Sequence, residues 1–513
     1  MKKNKILYLV SLVFLLFSCN KDEGTKPEDY KDVKFVKIDS VHSNYSVISM
    51  LDTFKIKPTL TGLEDDMELE YLWTMYPSIN KEDEDKKTVD TICRTRDLAY
   101  FVNKPSGVYK INYQVFHKKR GNVMKYVSFN LNVGTMFSEG FYILKETSSG
   151  NTDIDFRSSK GIEMNNLISE MTGSAMTGKP ISFGYFPSYF YLNTESNEIE
   201  LDKFLIPITT DDFRMFRISD MKQIRTFNQM FYGDITQEKP LFCYPGYYSY
   251  NFIMENNFYK SSQYQSRWGD SKSGGMLGMP GVLDDDGYEL SNYSYITNSY
   301  AYFFDKKNNR IVKIDHNGDI STIYDQDSKF KTSNIDYKFL FIGGSDDDEG
   351  LALFKDNDSE TTFLYHIDFA GANLIDTIYS LPLDYKISKA TIYHACKQSK
   401  GTVLYVVNNE VYKYSDISHN ETKVSVSGLP SDEEITFMDE MKIDTEETKF
   451  DYLMIGTYKA GNYKIYMYKT LAGIPLGEPE KVLSGEGKMY KIQYTNSELS
   501  NKDSDRSKFT VMY

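Results

Sequence analysis

The chain has 513 residues, enough for a sizeable core and for more than one domain. Asp and Glu number 73 against 59 Lys and Arg, a net charge of −14. That excludes nucleic acid as the main partner, because neutralising phosphates takes clustered Lys and Arg. Tyr (42) and Phe (32) are abundant, Pro is scarce (14) and Cys is rare (4), which excludes wholesale disorder and a disulfide scaffold and leans towards β-structure.

At the start, Lys2, Lys3 and Lys5 precede an apolar run from Ile6 to Phe17. The run is too short for a stable bilayer-spanning helix and suits a signal sequence. It ends Leu16-Phe17-Ser18-Cys19, a small residue before a cysteine, which resembles a bacterial lipobox. Residues 1–18 then form a lipoprotein signal peptide, and Cys19 carries the lipid as the mature N-terminus. Asn20-Lys21-Asp22-Glu23 is similar to the signal that sends Bacteroidetes lipoproteins to the outer face of the outer membrane. Residues 19–32, with Gly24, Pro27 and many charges, read as a solvated tether. No later segment is long and apolar enough to span a bilayer, so the expected anchor is lipid alone. Cys93, Cys243 and Cys396 are widely spaced without a CxxC, and the simplest reading is buried free thiols.

Residues 33–135 read as short alternating strands. Val33 to Ile38 begins the set, and Glu68 to Met75 carries Trp73, one of two Trp in the chain. Val108 to Val115 alternates cleanly, Lys119-Arg120-Gly121-Asn122 is a hairpin turn, and Val127 to Val133 is a last strand. A buried Trp on a central strand fits an immunoglobulin-like sandwich. The acidic run Lys81 to Lys87 is a solvated loop.

Residues 136–513 hold a weak repeat: an apolar strand, an Asn/Asp/Gly turn, then an aromatic–basic strand. Examples are 301–305 turning at Asn308-Asn309 into 311–315, 351–354 into 363–368, 403–407 turning at Asn408-Asn409 into 411–414, and 452–456 turning at Gly461-Asn462 into 463–468. The turns recur roughly every 50 residues, which matches a four-stranded propeller blade. The predicted fold class is therefore all-β, an immunoglobulin-like sandwich followed by a β-propeller of seven blades, with eight left open. Closing such a ring requires the last strand, Met489 to Tyr494, to pair near the start of the domain. Stacked sandwiches are the alternative, and the regular spacing disfavours them.

Chemical motifs are sparse. Gly173 to Pro180 is one residue short of a phosphate-binding loop, because Pro180 stands where Ser or Thr should ligate magnesium, so a structural turn is expected. The histidines His42, His117, His316, His366, His394 and His419 form no HExxH or HxH, and there is no GxSxG. No catalytic residue, metal ligand or cofactor is therefore assigned. The acidic runs Asp284-Asp285-Asp286 and Asp346 to Glu349 lack calcium-loop spacing and read as solvated turns. Residues 260–300 break the repeat with Tyr264, Arg267 and Trp268, a Gly-rich stretch from Gly274 to Gly281, and Tyr288. A long loop on a rigid scaffold concentrates binding residues, and an aromatic face suits a sugar ring or a peptide side chain. Tyr264, Arg267, Trp268 and Tyr288 are accordingly the candidate ligand- or partner-binding residues.

Several pieces resemble the PKD-like family of lipoproteins of gut Bacteroidetes. They are Ser18-Cys19 with Lys21-Asp22-Glu23, Tyr71-Leu72-Trp73, Asp97 to Tyr100 with Pro105 to Tyr109, Glu139 to Leu144, and Thr172-Gly173 with Gly178-Lys179-Pro180. The resemblance implies a PKD-like sandwich joined to a propeller, and a non-enzymatic accessory role beside a SusC/SusD-like TonB-dependent importer, binding or presenting glycans or peptides. The alternative is a propeller-based hydrolase or lyase acting on polysaccharide or peptide. Convergent carboxylates or histidines would favour the enzyme; an aromatic platform would favour binding.

Overall fold

The computed structural model describes residues 36–63, 68–78, 88–118, 123–233, 235, 238–267, 273–284, 287–297, 299–325, 328–344, 349–369, 373–397, 399–444 and 449–496. The lipobox with Cys19, the tether and the acidic run 81–87 lie outside these residues. The described chain is all-β, with short helical turns only, such as Leu167–Thr172 and Gln263–Arg267. It divides into two compact units. The smaller takes the residues up to Asn44, Thr53–Phe101 and Val108–Leu131; the larger takes Tyr45–Asp52, Val102–Gly107 and everything from Asn132.

In the smaller unit, strand Leu69–Pro77 lies between Asp90–Cys93 and Gly107–His117. Tyr109, Ile111, Tyr113 and Val115 alternate inward along Gly107–His117, as a period of two demands of a half-buried strand. Trp73 is fully buried, stacks on Tyr113 with ring centroids 4.1 Å apart, and donates its indole N–H to the Thr95 carbonyl at 2.9 Å. The ring supplies apolar area while its one polar atom stays paired.

The larger unit is a succession of antiparallel sheets. The first contains Gly140–Glu146, Thr152–Ser158 and Glu163–Met164. The second contains Pro180–Asn193, Glu198–Thr209, Arg214–Arg217 and Lys222–Thr226, and the third Pro240–Pro245, Ser249–Met254 and Phe258–Ser262. The fourth contains Leu290–Ile296, Ala301–Asp305, Arg310–Ile314 and Ile320–Thr322; the fifth Lys338–Gly344, Glu349–Lys355, Thr362–Asp368 and Ile375–Leu381. The sixth contains Ile392–Ala395, Thr402–Val407, Glu410–Ser415 and Asn420–Lys423; the seventh Glu434–Asp444, Lys449–Lys459, Asn462–Leu471 and Lys481–Glu486. The last strand, Lys488–Thr495, returns to pair antiparallel with Gly140–Glu146, the opening strand of the first sheet.

Local sequence explains the turns. Asn309, Asn408 and Asn409 sit at positive φ, as does the pair Ala460-Gly461. Tight hairpin turns need that backbone region, and Asn and Gly enter it at least cost. Strands such as Thr402–Val407 and Ser249–Met254 are buried at every position. Both faces are covered, so Val403 to Val407 reads as a continuous apolar run rather than an alternation. The phosphate-loop lookalike is a structural turn. Gly173 ends a single helical turn, Pro180 opens the second sheet, and a Cβ at Gly178 would come within 2.6 Å of Thr210 and Asp211.

Cores form between successive sheets. Phe186, Tyr189, Phe252 and Tyr259 join the second and third. Tyr244, Phe258, Phe303 and Val312 join the third and fourth, and Phe304, Ile342 and Phe354 the fourth and fifth. Leu353, Leu364, Tyr393 and Tyr405 join the fifth and sixth, and Leu404, Val406, Leu453 and Ile455 the sixth and seventh. One further cluster combines Ile143 and Phe156 of the first sheet, Tyr185 and Leu205 of the second, and Met454 and Ile465 of the seventh.

Candidate functional site

The turn between the first two strands of the third sheet reads Gly246-Tyr247-Tyr248. A Cβ on Gly246 would lie 2.6 Å from Asn251 Nδ2 and 2.7 Å from Ser249 Oγ, so a larger residue would have to displace both side chains for the turn to close. Its N–H donates to the Ser249 carbonyl at 2.7 Å. Closing this tightly throws two tyrosines outward, Tyr247 at 50% and Tyr248 at 53% exposure. Their rings meet edge to face, centroids 4.4 Å apart.

Neighbouring elements hold this pair. Tyr248 N–H donates to the His316 carbonyl at 3.1 Å, and Gln263 N–H donates to the Tyr248 carbonyl at 2.9 Å. His316 belongs to the last turn of the fourth sheet, and its ring stands 5.9 Å from that of Tyr248. Gly318 in the same turn sits at φ +76°, where a Cβ would meet Ser249 and Lys260. Lys260 Nζ also donates to the Asn317 carbonyl at 3.3 Å. Two consecutive sheets thus present Tyr247, Tyr248 and His316 together, with Tyr264, 65% exposed, one residue beyond Gln263. Such a group offers flat apolar rings with polar edges, the chemistry that stacks on a sugar face or an apolar peptide side chain.

The predicted residues fare differently. Tyr264 is exposed, one residue beyond the Gln263 that bonds Tyr248. Arg267 ends the short helix Gln263–Arg267, and Trp268 lies outside the described residues. Tyr288 is 3% exposed; its hydroxyl donates to the Gly281 carbonyl at 2.7 Å and accepts from Phe258 N–H at 2.9 Å. It is a packing residue, not one offered to a ligand, because both polar valences of a buried phenol are used internally. The Gly-rich stretch is not a free loop either. Arg225 donates to the Gly274 carbonyl at 2.8 Å, and Leu277 is fully buried with its N–H on the Met230 carbonyl at 2.7 Å. A Cβ at Gly275 would lie 2.3 Å from the Phe190 carbonyl, so these glycines permit close packing on the second sheet. Asp284 is engaged by Arg310, while Asp285, Asp286 and 346–348 lie outside the described residues.

Histidines and carboxylates do converge elsewhere. His366 of the fifth sheet lies 2.8 Å from Asp376 and 3.7 Å from Asp416 of the sixth, which is also 3.7 Å from His419. Burial pushes the Asp416 carboxyl up against the opposing pull of the two histidines. The adjoining cleft, lined by Gly344, Glu349 and Thr402 among others, holds about 20 Å³, space for a water and no more.

The second convergence is buried. His394 sits with Nδ1 3.1 Å from Asp439 and Nε2 3.3 Å from Glu440. Burial works against its charge, but the two carboxylates win and raise it from 6.5 to about 9. Asp439 is held well below the usual carboxylate range, burial being outweighed by Lys491 and His394. Cys396 lies in the same group, its thiol pushed up by burial. Sequence reasoning missed Tyr247, Tyr248 and His316, for which the Gly-Tyr-Tyr turn was the available signal. It also missed His394, Asp439 and Glu440, which come from different sheets and leave no spacing to read.

The PKD-like family model matches residues 19–180. The match begins at Cys19, covers the described residues of the smaller unit and ends at Pro180, where the second sheet begins. No curated protein matches the chain. Among solved structures it is similar to the extracellular domain of a one-component system from B. thetaiotaomicron, at 12% identity and a TM-score of 0.37, covering 81% of this chain. The chain spans 55% of that protein's length. It is also similar to a DUF4784 family protein from Bacteroides caccae, at 8% identity and a TM-score of 0.28, covering 77% of this chain and 96% of that one. A component of the yeast Nup82-Nup159-Nup116 nucleoporin complex gives 8% identity and a TM-score of 0.34, covering 64% and 98%. The family match on residues 19–180 agrees with the PKD-like resemblance carried by Tyr71-Leu72-Trp73 and Glu139 to Leu144.

Proposed function

We propose that the chain is a lipid-anchored outer-membrane protein facing the cell exterior, a non-enzymatic accessory of a SusC/SusD-like importer that binds or presents glycan or peptide. The observation that carries the binding role is the exposed group Tyr247, Tyr248 and His316, fixed across two sheets by backbone hydrogen bonds, with exposed Tyr264 next in sequence to the Gln263 that bonds Tyr248. Support for the anchor comes from Ser18-Cys19 and from a family match that starts at that cysteine. Among the described residues no helix is long and apolar enough to cross a membrane.

The same reading makes the larger unit a seven-bladed propeller. Its support is the chain of shared cores from each sheet to the next, the cluster combining the seventh, first and second, and the pairing of Lys488–Thr495 with Gly140–Glu146. The hydrolase reading is disfavoured because one His–carboxylate group is buried and the other borders a cleft with room for one water.

The test is affinity capture of the tagged chain from detergent-solubilised outer membrane. Co-purification of a SusC/SusD-type pair is expected, with ligand retention that falls in Tyr248→Ala. Absence of the pair together with measurable polymer cleavage would overturn the reading. Loss of lipid labelling in Cys19→Ser checks the anchor separately.

A further inference from the structure

Between the sixth and seventh sheets, three buried side chains of different chemistry point at one another. His394 is the penultimate residue of the strand Ile392–Ala395, Cys396 follows that strand directly, and Glu440 lies on Glu434–Asp444. Their imidazole nitrogen, sulfur and carboxylate oxygen all lie within 4.8 Å of one another. His394 is 7% exposed, Glu440 2% and Cys396 0%.

An ordinary buried polar cluster satisfies its own atoms, because an orphaned buried acceptor or donor costs about 1–3 kcal/mol. This one does not. His394 Nε2 and Glu440 Oε1 have no hydrogen-bond partner among the described residues. Nε2 is 3.3 Å from Glu440 Oε2 but off hydrogen-bonding geometry. The Cys396 thiol has only a long contact, donating to the Gly473 carbonyl at 3.8 Å.

The surroundings are those of a metal-binding histidine. Nδ1 of His394 faces Asp439 at 3.1 Å, which fixes the ring and leaves Nε2 as the free donor atom. Asp439 is itself held by Lys491 at 3.1 Å and accepts the Glu440 N–H at 2.9 Å. Glu440 Oε2 accepts the Lys397 N–H at 2.7 Å, leaving Oε1 for a ligand. Gly473, at φ +74°, closes over the group; a Cβ there would lie 2.7 Å from Cys396 Sγ. Its carbonyl already faces the thiol and offers the group a further oxygen.

We propose that His394 Nε2, Cys396 Sγ and a Glu440 carboxylate oxygen bind a divalent transition-metal ion of zinc type, with the Gly473 carbonyl or a water completing the site. A nitrogen, a thiolate and a carboxylate are the donor set of zinc and cobalt(II), not of calcium or magnesium. A tetrahedral ion with ligand distances of about 2.0–2.3 Å needs its donors roughly 3.5 Å apart, so small rotamer changes bring them into place. On binding, the Cys396 thiol proton and the His394 Nε2 proton both leave to solvent as the metal–sulfur and metal–nitrogen bonds form. Thiolate and carboxylate then balance the divalent charge, and Lys491 balances Asp439. The ion would clamp the sixth sheet to the seventh.

The test uses the mature chain stripped with a chelator and titrated with cobalt(II), then zinc. One equivalent of cobalt should give a thiolate-to-cobalt charge-transfer band, displaced by zinc, and zinc should raise the Tm. The band should vanish in Cys396→Ser and persist in Cys243→Ser. No band in the parent chain, or an undiminished band in folded Cys396→Ser, overturns the proposal. Should Cys396→Ser fail to fold, alkylation of the parent chain in mild denaturant decides. Zinc should slow labelling of Cys396 several-fold while leaving Cys93 unchanged, and equal labelling with and without zinc overturns it.

Discussion

Tyr463 donates its hydroxyl to Asp155 at 2.8 Å, a fully buried hydrogen bond that ties the seventh sheet to the first. Asp155 is fully buried and also pairs with Lys145 at 2.6 Å and lies 3.6 Å from Arg157 Nη2. Removing the carboxylate leaves the buried Lys145 ammonium without its ion pair, while Arg157 keeps Glu163 and the Asn165 and Ser484 oxygens, so the cost is roughly 3–5 kcal/mol; removing the Tyr463 hydroxyl leaves the ion pairs intact and costs about 1–3 kcal/mol. Asp155→Ala should therefore lose much more stability in urea denaturation than Tyr463→Phe. Equal losses would mean that the charges find water when the carboxylate goes.

A second consequence concerns the last strand. Lys488–Thr495 is the sole partner of one edge of Gly140–Glu146, and Tyr490 donates to Glu146 at 2.9 Å across 344 residues of chain. It also delivers Met489, Ile492 and Tyr494 to the core shared by the first, second and seventh sheets. Ending the chain at 486 should abolish the cooperative melting transition of the whole larger unit. A truncated chain that keeps its full calorimetric transition would show that the sheets stand without this strand.

The repeat was legible because its turns are written in residues with a backbone reason to be there. Asn308-Asn309, Asn408-Asn409 and Gly461 all mark hairpins, three of these residues, Asn309, Asn408 and Asn409, sit at positive φ with Gly461, and the strands on either side pair as spaced. The site was less legible. Tyr288 and the Gly-rich stretch broke the repeat and looked like a binding loop, yet they break it in order to pack, one through a buried phenol and the other through close backbone approach. Departure from a repeat signals either role, and exposure alone separates them. His394 and Glu440 were invisible because they meet through sheet-to-sheet packing, which no local spacing encodes.

Tyr248 and Tyr288 provide a matched pair that separates binding from packing. Tyr248 is half exposed, so Tyr248→Ala removes a contact face and little core; Tyr288 is buried with its hydroxyl doubly bonded. Tyr248→Ala should weaken ligand retention while shifting Tm by no more than a degree or two, since exposed substitutions usually stay within about 0.5 kcal/mol. Tyr288→Ala should do the reverse, costing about 3–5 kcal/mol as a large aromatic core deletion. Calorimetric melts and binding measured on the same samples decide it, and a Tyr248→Ala chain with unchanged binding removes the platform from consideration.

Acid sensitivity follows from Glu433. It is 4% exposed, and its oxygens accept from Lys464 at 2.6 Å and from Tyr466 at 3.1 Å as well as from Thr457. Burial opposes its charge, but these partners win and hold the carboxyl below its ordinary value of 4.5. A depressed folded pKa means the carboxylate stabilises the fold fully above the unfolded value, and that contribution fades as pH falls through the folded one. Glu433→Gln should therefore melt well below the parent at neutral pH. The gap should begin to close as pH drops below 4.5. Melting curves recorded across that range check the sign. A gap that widens in acid would mean that Glu433 is protonated in the folded chain and that Lys464 is held by another partner.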